Sequence, residues 1–573
     1  MASGLLLGQV MKWVPIWLTP IWVLSVGVLL GALASVAVFG LLALLSFLPP
    51  VGRLADSPRR AITLSLVLGG LIGGGLCWLY VPEAGSYSAS LILPLITIGL
   101  VVGFGLIYGA WERTRAEWLP VMGEGVVPYL LSTVGAFTLL GLAATPLVDE
   151  PRQILDSIRD VNLVGDGTVT LTVEIPGYRG EDPDDAPFVA AGIAYDLRSA
   201  AEVVIRSDRT VLLADAEQPS DFQRTPTRVD AGDEMAYRYE DREIPPIPSD
   251  ASALHIQNRE IDPATVVFEF KNRPLVPEAA SIVWTAIAIF VTVSGFVALR
   301  QAAPRVWALA LSTSKNEMGQ PLYLLLLGLG LFGVLLFAVY PFNTMGDDIR
   351  LLKDSGVTLI MVLAMLQAVW SAGTSVSDEI EGRTALTVLS KPVSRRVFVL
   401  GKYAGIMLSV SVLFAILATV LLVMIAYKPI YDSRENSQEM PVWQVGHEEL
   451  MTTIPVLGLY YMQTMLIAAI AVALATRLPL IANFITCFVI YVVGNLTSPL
   501  VASAQGNNEL VSFVGKLIAV VVPNLNTFNV QAAVDAGNPI PIIYLAGAFN
   551  YLVCFAIAIW MLAMLLFEDR DLA

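Results

Sequence analysis

Cysteine is nearly missing from this chain. Three occur in 573 residues, Cys77, Cys487 and Cys554, each inside an apolar run. That excludes a disulfide framework or a thiolate metal site and leaves them as small buried hydrophobes. Histidine is scarcer still: His255 and His447 lie in separate polar regions, which excludes a histidine-built metal centre. Charged residues make up only 14% of the chain. Nucleophile and phosphate motifs are absent too. No G-x-x-x-x-G-K-[ST], H-E-x-x-H or G-x-S-x-G occurs, and Gly401-Lys402 lacks both the preceding glycine-rich turn and a following Ser or Thr. No nucleotide is hydrolysed by a phosphate loop of this sequence, and no cofactor or metal is expected.

What is present in excess is apolar surface. Hydrophobic residues fill 56% of the positions, more than a soluble protein of this length could bury, so the chain reads as a polytopic membrane protein. Runs long enough to cross a bilayer fall near 21–48, 61–81, 89–110, 125–147, 281–300, 321–341, 357–377, 401–427, 453–475, 481–501 and 541–567. In the first of them, Pro20 is expected to divide an interfacial N-terminal piece from the span proper. The N-terminus lacks a basic region, short apolar stretch and small-residue cleavage site, so no removable signal is expected. These spans carry almost no ionisable residues, unlike those of proton-coupled carriers. Their polar residues are chiefly Gln367, Gln463, Asn483, Asn495 and Asn550, placed for hydrogen bonds between helices. Gly69, Gly70, Gly73, Gly74 and Gly75 give the small-residue spacing of close helix packing. Asn495-Leu496-Thr497 fits a glycosylation sequon but sits at a span end, where it reads as chance.

The net charge of −15 is concentrated in one place. Residues 149–280 hold 27 Asp+Glu and 13 Lys+Arg, a difference of −14, which leaves the membrane portion close to neutral. With no basic face or aromatic platform, nucleic-acid binding is not expected. Lys and Arg of the short loops number fifteen on one side and five on the other, the five being Arg350, Lys353, Lys428, Arg434 and Lys516. By the positive-inside rule the C-terminus is cytoplasmic and the 149–280 region is outside. Thr168 to Ile175 alternates with period two and stops at Pro176-Gly177; further β-rich runs fall at 188–196, 202–206, 210–214, 236–240, 253–257 and 264–270. Asp182-Pro183-Asp184-Asp185 reads as a solvated turn. The expected fold is therefore a polytopic α-helical membrane protein of about eleven spans with an inserted, extracytoplasmic, mostly-β, sandwich-like domain. Its parts are a four-span region at 1–148, the acidic β domain at 149–280, a fifth span with linker at 281–303 and a six-span core at 304–573.

Two segments of that core stand out. Val306 to Glu317 mixes apolar residues and Trp307 with polar Lys315 and Glu317 ahead of Pro321, as expected of a helix lying in the membrane interface. The second segment runs from Ser377 to Lys402. It has an acidic start at Glu379 and Glu381, an apolar stretch from Thr384 to Leu389, a stop at Pro392 and a basic exit at Arg395 and Arg396. The acids can meet basic groups of a partner, the apolar stretch can enter a groove, and the proline ends the helix. The arginines can hold the returning chain at an anionic leaflet.

This half resembles the permeases of ABC-2-type ABC transporters, particularly those of the multi-copper enzyme maturation type. In that family a connecting helix precedes the first core span. The second span is followed by a pattern close to E-x-E-x-G-T, an apolar stretch, S-x-P-[VI]-S-R and a G-K. Glu379, Glu381, Thr384, Leu389, Ser390, Pro392, Val393, Ser394, Arg395, Gly401 and Lys402 match it; Arg383 stands where glycine is usual, with Gly382 one place earlier. The resemblance implies a permease subunit, without catalysis of its own, of an inner-membrane exporter. It implies coupling to a separate cytoplasmic ABC ATPase through the 377–402 loop and the connecting helix (Trp307, Lys315, Glu317). It further implies assembly with a second copy or a second permease in contact with membrane lipid, and half-embedded helices between residues 502 and 540. The alternative reading is a non-transporting receptor or scaffold whose β domain binds the ligand.

Overall fold

The computed structural model describes residues 2–82, 89–161, 168–180, 182–193, 195, 200–238, 247–248, 251–272, 274–340, 348–381, 394–504, 513, 522–530 and 539–568. The chain forms two compact units, Glu150–Val283 and the remainder.

The smaller unit is built from strands whose residues alternate in burial. β1 (Thr168–Ile175), β3 (Ala200–Ser207), β6 (Glu234–Arg238) and β8 (Ala264–Asn272) form one antiparallel sheet, ordered β1-β8-β3-β6. β2 (Phe188–Ala190), β4 (Val211–Ala214), β5 (Thr227–Val229) and β7 (His255–Asn258) form the second, ordered β2-β7-β4-β5. Register is set from Thr168 opposite Lys271 to Ile175 opposite Ala264, which puts the apolar set of β8 on one face. Val203, Ile205, Val266, Phe268 and Phe270 from the first sheet meet Val211, Leu213, Val229 and Ile256 from the second in one apolar core. This is a β-sandwich. β5 has only three residues, too few to show alternation in sequence, and the run at 188–196 is strand only as far as Ala190.

In the larger unit, α1 (Ala2–Leu45), α2 (Pro58–Tyr80), α3 (Ala89–Gly109), α4 (Glu112–Met122) and α5 (Val127–Ala143) precede the sandwich in sequence. α6 (Ala280–Ala302), α7 (Pro304–Met318), α8 (Pro321–Val339), α9 (Asp348–Ala372), α10 (Arg395–Glu435), α11 (Trp443–Ala475), α12 (Leu480–Ala504) and α13 (Ile542–Glu568) follow it. Among the described residues ten helices are long and apolar enough to cross a membrane, and the eleventh expected run falls on α12. α9 and α11 are mostly buried inside the helical unit, whereas α1, α2, α5, α6 and α13 bury less than a fifth of their apolar windows. Their outward faces carry residues such as Leu71 at 70% and Trp78 at 82% exposure, which water would not tolerate and hydrocarbon would.

Two sequence expectations are corrected here. Pro20 does not divide the first helix: α1 runs through Pro15 and Pro20, and Ile21, Trp22 and Val23 just beyond are almost wholly buried. The Thr19 hydroxyl donates to the Pro15 carbonyl at 2.7 Å within this stretch, and Pro20 packs beside Gly446 of α11. Second, the core helices do not stop where their apolar runs stop. α10 continues past residue 427 to Glu435, α9 begins at Asp348 and α11 at Trp443. Lys353, Lys428 and Arg434 therefore stand on helices rather than in loops.

Glycine placement explains one tight pair. A Cβ on Gly69 would lie 2.7 Å from the Leu100 Cα, and one on Gly99 or Gly103 would fall within 2.5 Å of the Gly73 or Gly69 backbone, so α2 and α3 touch main chain to main chain. Gly70, Gly74 and Gly75 face open space and take no part. Of the polar residues inside the spans, Asn483 and Asn550 donate across helices, to Ala471 O and Ser90 O, while Asn495 and Gln367 bond within their own helix.

Candidate functional site

The site gathers where α7 lies against the start of α10 and the end of α9. Trp307, Ala310, Thr313, Ser314 and Glu317 form one buried stripe of α7, at the three-to-four-residue spacing of a helix face. Glycines let that stripe approach closely: a Cβ on Gly401 would sit 2.6 Å from Leu309 Cδ2, and one on Gly405 would sit 2.7 Å from Ala310 O. The opposite face of α7 shows Arg305, Ser312, Lys315 and Asn316 to the surroundings. Of the three residues expected to mark this helix, Trp307 is therefore an anchor, set edge-on against Phe296 at 5.0 Å, Glu317 is an interior acid and Lys315 is exposed.

Glu317 is fully buried and belongs to a polar node. Gln320 Nε2 donates to its Oε1 at 3.1 Å, Trp370 Nε1 donates to Gln320 Oε1 at 3.1 Å, and Thr374 Oγ1 lies 3.3 and 3.4 Å from the two carboxylate oxygens. Thr374 stands in a π-helical segment, Gly373–Ser377, that continues α9. Such wide turns re-aim side chains and recur at functional positions. Burial pushes the Glu317 carboxyl up to about 6, opposed by hydrogen bonds from Ser371 and Thr374 and by the charge of Lys402.

The second half of the node is an ion pair. Lys402 Nζ, on a side chain with 5% of its surface exposed, meets Glu379 Oε1 at 2.6 Å, with Glu379 at 29%. Glu379 was expected to stand exposed at a docking surface. It turns inward instead, because a buried ammonium must be neutralised. Lys402 and Glu379 cancel, so the node is neutral when Glu317 is protonated and carries one negative charge when it is not.

The remaining expected residues divide. Glu381 ends the short helix Asp378–Glu381, and its side chain lies outside the described residues; so do Thr384, Leu389 and Pro392. Most of the expected half-embedded segment at 502–540 lies outside them as well. Ser394 caps α10, its hydroxyl accepting from Val397 N. Arg395 and Arg396 are exposed, and Arg395 donates to the Phe567 carbonyl at 2.9 Å, gripping the end of α13.

The N-terminal helices reach the same region. Arg300, nearly buried at the end of α6, pairs with Glu124 and, at 3.2 Å, with Glu117 of α4, while Gln301 donates to Glu117 as well. Burial alone would raise the Glu117 carboxyl, but hydrogen bonds from Arg113, Gln301 and Arg300 outweigh it and hold it low.

A second charged layer lies at the far ends of α9, α10 and α11. Lys353 pairs with Glu449, and Lys428, at 1% exposure, lies 2.8 Å from Asp432 and 3.6 Å from Asp348. The carboxylates of Asp348, Asp432 and Glu435 gather within 4.8 Å, and the Lys428 ammonium meets two of them, Asp348 and Asp432. These charges stand on the helical turns beyond the apolar runs. In sequence these residues look like loop because they border the apolar runs; pairing within α10 and across to α9 and α11 allows Lys353 and Lys428 to be buried. Gln320, Trp370, Thr374 and Lys428 are the functional-layer residues missed, and the i, i+3 pairing of Glu317 with Gln320 is the one signal that pointed toward them.

A family model described as "ABC-2 family transporter protein" matches residues 280–572. No curated protein matches the chain. With its many apolar helices and the match over half its length, the chain is a membrane transport permease that belongs to the ABC-2 transporter family.

Proposed function

We propose that this chain is the permease subunit of an exporter, driven by a separate cytoplasmic ABC ATPase that engages α7 and the loop after α9. The observation that carries the reading is the Glu317–Gln320–Thr374 node with its Glu379–Lys402 pair. It ties the connecting helix, the π-helical root of the loop and the start of α10 into one body. A push on α7 or on the loop thus moves three core helices together. The exposed face of α7, with Arg305 and Lys315, is the surface offered to the ATPase, and the Arg300–Glu117–Glu124 cluster braces α7's approach from the N-terminal spans. The distribution of basic residues supports a cytoplasmic C-terminus with the sandwich outside, and the family resemblance supports a bacterial inner membrane. Two permease chains and two ATPase subunits complete the assembly.

The test is gentle purification of the chain from its native membrane with mass spectrometry of what accompanies it. A near-stoichiometric P-loop ATPase, reduced at least several-fold by the charge reversal Lys315→Glu while the permease stays monodisperse, is expected. Its absence under conditions that hold other ABC complexes together would overturn the coupling and favour a receptor built on the sandwich.

A further inference from the structure

A groove of about 420 Å³ opens between α10, α11 and α13. Its walls are apolar and include Leu400, Tyr403, Val472, Ile557, Trp560 and Ala563. Leu400 is 38% and Ile557 55% exposed, so the groove opens sideways, toward where hydrocarbon surrounds a membrane helix. One end of it is basic. Arg395 and Arg396 lie one turn of α10 before Val399 and Leu400, and Arg477 follows α11 one turn beyond Val472. Arg395 and Arg477 are drawn together by neighbouring carbonyls at the end of α13, Phe567 O at 2.9 Å and Leu566 O at 2.6 Å. All three arginines are exposed. Inside the groove, Trp560 stands two turns before Phe567, and its indole N–H has no hydrogen-bond partner among the described residues.

An apolar trough with a cationic mouth is complementary to one kind of molecule in a membrane. We propose that this groove binds an anionic phospholipid. One acyl chain lies along α10 and α13, and the phosphate sits at Arg395, Arg396 and Arg477. A zwitterionic lipid fills the trough equally well but gains less at its mouth. Each basic residue at an anionic headgroup contributes about fivefold in affinity, so the arginines rather than the trough set the preference. A bound lipid here would tie the ends of α11 and α13 to the start of α10, the helix that carries Lys402. The inference rests on the chain's being embedded in a membrane and not on ATPase coupling, and its test reads binding alone.

Native mass spectrometry of the full-length chain in detergent, titrated with dioleoyl phosphatidylglycerol or dioleoyl phosphatidylcholine, measures the preference directly. The expected result is tighter retention of phosphatidylglycerol. In Arg396→Gln/Arg477→Gln its affinity falls about thirtyfold while phosphatidylcholine binding falls far less, and that retained binding shows the variant to be folded. Ile557→Trp, an exposed position that fills the trough without touching the charges, is expected to weaken both lipids. Equal retention of the two lipids by the native chain overturns the proposal, as does phosphatidylglycerol binding indifferent to both variants. A dimer that Ile557→Trp converts to monomer, with no lipid bound, assigns the groove to a second copy instead.

Discussion

At the scale of single residues, several charges of the helical unit are used inside rather than outside. Glu379 is the clearest case. In sequence it is the first acid of a loop motif and looks addressed to a partner, yet its carboxylate meets the buried Lys402 at 2.6 Å. Removing one member of such a pair strands the other, at a cost of about 3–5 kcal/mol, whereas replacing both by apolar groups costs much less. Glu379→Ala is therefore expected to lower the thermal unfolding midpoint in detergent markedly, and Glu379→Gln/Lys402→Met to recover most of it. A Glu379→Ala protein as stable as the native one would return this residue to a purely external role. Glu317 gives a pH prediction. Its folded-state carboxyl titrates near 6, above the usual 4.5, so the proton is held more tightly folded than unfolded. The stabilisation from that proton is complete below about pH 4.5 and is lost as pH rises through about 6. The shift corresponds to about 2 kcal/mol. Stability measured from pH 5 to pH 7 should fall in the native chain, and the fall should be absent in Glu317→Gln.

At the scale of elements, the decisive contacts are those that side-chain size permits. α7 meets α10 through Gly401 and Gly405, where a Cβ would collide with Leu309 and with the backbone of Ala310. Gly405→Leu cannot be absorbed by rotating a flexible side chain, because the carbonyl of Ala310 is in the way. It is expected to separate α7 from α10, to destabilise by several kcal/mol and to abolish transport even where ATPase still co-purifies. Unchanged transport with Gly405→Leu would show that the two helices need not move as one. Sequence made much of this level legible. The run from Val306 to Glu317 was readable as a helix with one polar face, and Thr168 to Ile175 as a strand, because periodicity belongs to the chain itself. The extra turns of α9, α10 and α11 were not readable, since Lys353 and Lys428 resemble loop residues until Glu449 and Asp348 arrive from other helices and Asp432 from the next turn of α10 to neutralise them.

At the scale of the whole molecule, two units with separate cores share one chain. The sandwich holds its own apolar centre, with Phe268, Phe270, Val203 and Leu213 all at or below 2% exposure. A fragment comprising residues 150–283 is accordingly expected to be soluble and β-rich by circular dichroism, with a single cooperative melt. A fragment without a cooperative transition would mean that the sandwich depends on the helical unit.

Apolar run lengths and the charge imbalance of the inserted region settle the fold class of this protein from sequence alone. They are sums and periods along the chain, and the membrane acts on them locally. The motif after α9 likewise carried the family. Only tertiary structure could decide where the motif's charges point. It brought Glu379 to Lys402, set Glu317 beside Thr374 of a π-helical turn and gathered Arg395 and Arg477 at the end of α13. Each of these pairings joins residues on different helices, and a charge's effect depends on what lies within a few ångströms of it, which sequence spacing does not specify.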